Sequence, residues 1–166
     1  VTNFYLQDYL TGKTQSVIEY QTDKKISQST NTYVAEGIDK VENIATRRDV
    51  RLTFNTTQQL SPIDKLQIRS RTQTFSNFDT YGYAKTTVET KVAGDETKKT
   101  TTTVIFDHEE DLWILGRPKN QTVTHELTGA ANQTKSISFQ YYPDTHALKK
   151  QIFEEDTGYQ KEIDFI

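Results

Sequence analysis

Apolar and polar residues alternate with a period of two along most of this chain. Val50, Leu52 and Phe54 alternate with Arg51, Thr53 and Asn55, which predicts a strand with one dry face. Leu66, Ile68 and Ser70 alternate with Gln67, Arg69 and Arg71, and the pattern runs on to Phe75 after a break at Ser61-Pro62. Phe4 and Leu6, then Val17, Ile18 and Tyr20, flank a hairpin turn at Thr11-Gly12-Lys13. Residues 85–92 pair with 98–106 across Ala93-Gly94-Asp95-Glu96. Residues 119–127 pair with 133–142 across Thr128-Gly129-Ala130-Ala131, and 148–153 with 159–165 across Glu155-Asp156-Thr157-Gly158. No helical period is sustained. Residues 33–44 are the one stretch that could form a short helix, and Gly37 works against it. The expected fold is all-β, an antiparallel meander of successive hairpins, with helix below about 10% and strand above about 40%. Such a meander must close, pack on a second sheet or continue into a neighbour.

Composition sharpens this picture. Hydrophobic residues make up 33% of 166, which allows only a thin core in a single domain. A sheet buried on both faces would need near-continuous apolar runs, so a compact α/β fold is not expected. Threonine occurs 27 times, alongside 9 tyrosines and 8 phenylalanines. These residues suit a pleated, half-exposed surface. Lys plus Arg is 20 against 23 Asp plus Glu, a net charge of −3 that excludes broad capture of nucleic acid. The absence of cysteine excludes disulfides, a thiolate zinc site and a cysteine nucleophile. There is no start methionine and no apolar run of about 18 residues, so neither a signal peptide nor a membrane span is expected. Val1 and Ile166 look like cuts inside a longer chain.

Candidate chemistry is sparse. His108, His125 and His146 fall on three hairpins without metal-ligand spacing. His108-Glu109-Glu110-Asp111 reads as a solvated acidic turn, with calcium contact as the sharper alternative. Glu154, Glu155 and Asp156 lie at a hairpin tip, where a carboxylate stays ordinary. No nucleophile elbow or phosphate loop occurs. Three formal glycosylation sequons begin at Asn55, Asn120 and Asn132, as chance allows with this much threonine. Trp113, inside Leu112-Trp113-Ile114-Leu115, is expected to be a largely buried anchor whose truncation costs about 3–5 kcal/mol. Gly116 and Arg117-Pro118 then form the exit turn, with Arg117 hydrogen-bonded to a carbonyl or carboxylate across strands. No catalytic, cofactor or metal residue is assigned.

A weak repeat runs through the second half. Units begin at Phe78-Asp79-Thr80-Tyr81-Gly82-Tyr83, at Phe106-Asp107, at Phe139-Gln140-Tyr141-Tyr142-Pro143-Asp144 and near Asp164-Phe165, at spacings of 28, 33 and 26 residues. In each, an aromatic closes a strand. In the first, Asp79 is expected to cap the turn and Gly82 to supply a positive φ.

Phe78-Asp79-Thr80-Tyr81-Gly82-Tyr83 resembles the Tyr-Asp-x-x-Gly-Asn signature of the Rhs/YD-repeat proteins. The order that follows is similar to the same family: Lys85-Thr86-Thr87-Val88, then Trp113-Ile114-Leu115-Gly116-Arg117, then Ser138-Phe139-Gln140-Tyr141. The SpvB-like chains and the B component of insecticidal toxin complexes share the arrangement. The resemblance covers residues 75–166, and Phe78, Asp79, Gly82, Trp113, Leu115, Gly116, Arg117, Phe139 and Tyr141 carry it. The chain departs from the pattern at Tyr83, where Asn is usual, at Phe78, where Tyr is usual, and at His146, where Gly often stands. Residues 1–75 form a strand-rich segment without a match, and residues 76–166 the YD-repeat-like hairpin segment. The resemblance implies a wall of a β-shell that encapsulates a toxic C-terminal domain. It implies a virulence-related bacterial protein, secreted or delivered by a secretion system. Its partners would be the rest of its own long chain and the enclosed toxin or effector, with no nucleic acid, no membrane span and no enzymatic activity of this segment. The alternatives are a β-sandwich binding module of a surface adhesin and a jelly-roll hydrolase with clustered carboxylates.

Overall fold

The computed structural model describes residues 1–4, 13–41, 44–61, 63, 66–155 and 159–165. Eleven strands follow one another in sequence order in an all-antiparallel meander, with no α-helix among the described residues. Strand content is far above the 40% expected from the alternation. The chain divides into two units, one of residues 1–75 with 89–97 and the other of residues 76–88 with 98–166.

The first unit contains β1 (Thr2–Phe4), β2 (Thr14–Gln21), β3 (Lys24–Val41), β4 (Ile44–Leu60) and most of β5 (Gln67–Phe78). Thr22 and Asp23 close the β2–β3 hairpin, both at positive φ (47° and 61°). That is the combination a two-residue turn needs to match strand twist. The Thr11-Gly12-Lys13 turn expected before it falls mostly outside the described residues. Of the candidate helix at 33–44, residues 33–41 are the second half of the β3 strand, β4 starts at Ile44, and 42 and 43 lie outside the described residues. Eight register pairs with β4, from Tyr33 opposite Leu52 to Val41 opposite Ile44, satisfy this backbone, more than a short helix interrupted by Gly37 could. Between the strands runs a polar ladder. Asn55 Nδ2 donates to Asn31 Oδ1 at 2.6 Å and to Ser29 Oγ at 3.2 Å, and Asn31 Nδ2 donates to the Thr14 carbonyl at 3.0 Å.

On β5 and the second half of β6 (Ala84–Ala93), Glu89 pairs with Arg71 and, at 2.7 Å, with Lys91. The Lys91 hydrogen bond, helped by Arg71 and opposed by partial burial, holds the Glu89 carboxyl below its usual 4.5. A depressed carboxyl stabilises the fold above its ordinary value and loses that contribution as pH falls through its folded value. Glu89→Gln is therefore expected to weaken the protein at neutral pH and to match wild type in strong acid. Urea melts of both at a series of pH values check this; a difference that persists unchanged into strong acid contradicts it.

The second unit contains the first half of β6, then β7 (Glu96–Glu109), a 3₁₀ turn (Glu110–Leu112), β8 (Ile114–Leu127), β9 (Gln133–Tyr141), β10 (Leu148–Glu155) and β11 (Gln160–Asp164). The hairpins expected across residues 128–131 and 155–158 form in register, Thr124 opposite Thr134 and Gln151 opposite Ile163. One face carries rows of hydroxyls. Thr101, Thr124 and Thr134 align across three strands, as do Thr103, Thr122 and Ser136, and the Thr124 and Thr134 hydroxyls lie 3.2 Å apart. The opposite face aligns Val104, Gln121, Ile137 and Phe153.

No described residue is buried. The dry face expected for Val50, Leu52 and Phe54 is not dry: Phe54 is exposed and its neighbours are half-buried. A strand alternates whether its apolar side meets a core or only grazes neighbouring side chains, so period two alone does not report dryness.

Candidate functional site

Every feature of the site lies in the second unit and starts from the turn after β5. Asp79 Oδ1 accepts the N–H groups of Tyr81 and Tyr83, each at 2.9 Å. The Gly82 N–H donates to the Asp79 carbonyl and the Asp79 N–H to the Tyr83 carbonyl, both at 3.1 Å, with Gly82 at φ 88°. The other carboxylate oxygen, Oδ2, lies 3.0 Å from His108 Nε2 on β7. His108 Nδ1 accepts the Gly116 N–H of β8 at 3.1 Å. A ring nitrogen that accepts carries no proton, so the proton sits on Nε2 and points at Asp79. His108 is therefore neutral, and its contact with Asp79 is a hydrogen bond rather than an ion pair. One imidazole thus joins the tyrosine turn, β7 and the start of β8. Tyr81 lies against it, ring centroids 4.6 Å apart, and Tyr83 packs on Phe106 at 5.4 Å. The Tyr81 phenol is held above its ordinary value, first by a hydrogen bond with Glu110.

Beside this joint, Arg117 reaches back across β7. Its Nη2 donates to Asp107 Oδ2 at 2.6 Å and to Glu109 Oε1. Its guanidinium sits 4.6 Å over the Tyr141 ring, and the Tyr141 hydroxyl donates to the Pro118 carbonyl at 2.8 Å. The Arg117 side chain is 9% exposed. Desolvation works against its charge, but Asp107 and Glu109 outweigh it and hold the group above its ordinary value. Burial pushes the Tyr141 phenol up as well. His146 Nδ1 lies 3.1 Å from Glu109 Oε2, with the His146 backbone at φ 58°, a conformation that favours glycine. Asp107, Glu109, Arg117 and Tyr141 line a depression of about 300 Å³ with Phe139, Lys119, Tyr142 and Pro143.

The sequence-marked residues thus separate into two groups. Phe78, Asp79 and Gly82 frame the turn, Gly116 and Arg117 begin β8 beside Leu115, and Tyr141 faces Arg117 from β9 with Phe139 one alternation away. Trp113 stands apart. It is 82% exposed at φ 55°, with its N–H on the Glu110 carbonyl at 3.1 Å, and Leu112 beside it is 57% exposed. The buried anchor expected there is overturned. The 3₁₀ turn needs a left-handed residue to re-enter β8, and that geometry throws the indole outward. In dilute solution Trp113→Ala is therefore expected to change stability by less than about 0.5 kcal/mol, as at other exposed sites. Native emission at the red end of the tryptophan range, readily quenched by iodide, checks the exposure; a protected, blue-shifted indole contradicts it.

Sequence reading missed His108, Asp107 and Glu109 as a working set. The sequence places His108 in a solvated turn, yet its side chain is 18% exposed and bonded on both nitrogens. Its partners lie 29 residues before and 8 after it, so no local spacing announces them. Chemically the arrangement clasps strands together. Both carboxylates on Arg117 are engaged, Glu109 with His146 as well, and the His108 imidazole has no free nitrogen. Among the described residues no group of His, Asp and Glu could hold a metal ion. Glu154 is exposed on its own strand, His125 meets Thr100 at 3.0 Å, and Glu155 and Asp156 lie outside the described side chains. No family model, no curated protein and no solved structure matches this chain.

Proposed function

We propose that this chain is a non-catalytic wall segment of an Rhs/YD-repeat protein, part of a β-shell around a toxic C-terminal domain. One observation carries the reading: an uninterrupted meander in which no described residue is buried. A sheet wetted on both faces suits a wall that separates an inner from an outer volume, and it does not supply the packed interior of a sandwich or jelly roll. The clasp of Asp79, His108 and Gly116, with Arg117 next to it, supports the same role. It ties the turn after β5 to β7 and the start of β8, which fixes the line of a wall without any core behind it. An adhesin module remains the runner-up because of exposed Leu112 and Trp113. Electron microscopy of the protein expressed from its whole gene separates the two. A hollow particle whose C-terminal region resists protease until the particle is opened is the expected result. A solid particle, or a small domain displayed on a stalk, overturns the proposal.

A further inference from the structure

Two surface features of this protein match each other. The first is the tip between β7 and β8, in the second unit. Leu112 and Trp113 project there beside Glu110 and Asp111, in the 3₁₀ turn that ends at the left-handed Trp113. Scattered exposed leucines are ordinary, but a tryptophan held 82% exposed in a left-handed backbone is not. Tryptophan is also the side chain most enriched where one protein anchors on another. The second feature lies in the first unit. A groove of about 430 Å³ runs between Thr57, Gln59, Arg69, Arg71, Lys91 and Val92. Its lining combines the apolar side chain of Val92 with three basic residues, Arg69, Arg71 and Lys91. Glu89 is the acid that faces it, paired with Arg71 and Lys91, and no pairing of Arg69 is found among the described residues. Three cations against one carboxylate leave the groove net positive.

We propose that the Leu112-Trp113 tip of one copy inserts into the basic groove of a second copy, a head-to-tail contact distinct from the wall role above. The indole enters the groove and stacks on guanidinium groups, which favour aromatic faces. Glu110 and Asp111 meet the cationic rim. Charge selects this occupant over an anionic lipid surface, which would repel an acidic tip. The two patches differ, so the contact is heterologous: the copy that donates its tip keeps a free groove, and the copy that accepts it keeps a free tip. One tryptophan and one leucine cover far less than the roughly 1,200 Å² of a stable specific interface, so the association is weak. It appears at about 100 μM and above, where single-contact affinities of this kind fall.

The single tryptophan makes the test direct. Sedimentation and Trp113 emission are followed together from about 10 μM to 1 mM. The expected result is a rise in mass with a parallel blue shift, reduced by salt. Trp113→Ala removes the mass increase while circular dichroism stays native. Asp111→Lys and Arg69→Glu, each alone, weaken association about tenfold, and the double variant restores it. A monomer with unchanged emission across the range overturns the proposal. So does association without an emission change, which would mean pairing at the edge of β11. A blue shift on anionic vesicles but not on raising the protein concentration overturns it in favour of a membrane.

Discussion

Gly116→Ala is expected to cost about 3–4 kcal/mol. Two penalties add. Gly116 holds φ 72°, a region that costs an L-residue about 1–2 kcal/mol. A Cβ there would also stand 2.3 Å from the Tyr83 ring and 2.4 Å from its neighbouring ring carbon. Tyr83 cannot swing away cheaply, because its ring packs on Phe106 and its backbone N–H is held by Asp79. Displacing it also disturbs the Gly116 N–H that His108 accepts. Tyr83→Ala in the same chain should return the steric part and leave only the backbone part. A double-mutant cycle by urea unfolding measures this; an additive pair would show that ring and glycine do not touch.

Arg117→Ala should cost about 3 kcal/mol, near the range for removing one partner from a desolvated charge pair. The loss leaves Asp107 and Glu109 facing each other without a cation and uncovers one face of Tyr141. Both carboxylates are partly exposed and can regain water, which keeps the cost from going higher. Arg117→Lys should recover less than half, since an ammonium cannot span two carboxylates and stack on a ring at once. Urea melts of the three proteins check this; a Lys variant as stable as wild type would mean that neither the double pairing nor the stacking is what Arg117 supplies.

The hairpins were legible because their signals are local. Gly94-Asp95 between two threonine-rich runs, and Gly129 between two others, declare turns whatever surrounds them. Arg117 reaching a carboxylate across strands was legible too, since Asp107 and Arg117 flank one tip and a hairpin folds them opposite each other. Residues 33–41 were ambiguous because Tyr33, Val34 and Ile38 fit a helical spacing as well as a strand, and the decision rests with β4, a partner that no short window contains. Trp113 failed for a different reason. Four apolar residues in a row usually mark a core, and this chain has none to put them in. The 33% apolar content had already stated that limit for the whole chain, while the local reading of residues 112–115 ignored it. His108 was hidden by distance along the chain, as a residue that joins three segments must be.

A sheet in which no described residue is buried also has an unusual thermal signature. The heat-capacity change on unfolding, normally about 12–15 cal/mol/K per residue, comes from apolar surface newly wetted. Here much of that surface is wet before unfolding begins, so the increment should fall well below that range. The stability curve then flattens, and cooling or warming by tens of degrees shifts the balance little. Interactions pass between strands that are neighbours in chain order, as between units of a linear array. Calorimetry should accordingly record a broad, shallow transition in place of one sharp peak.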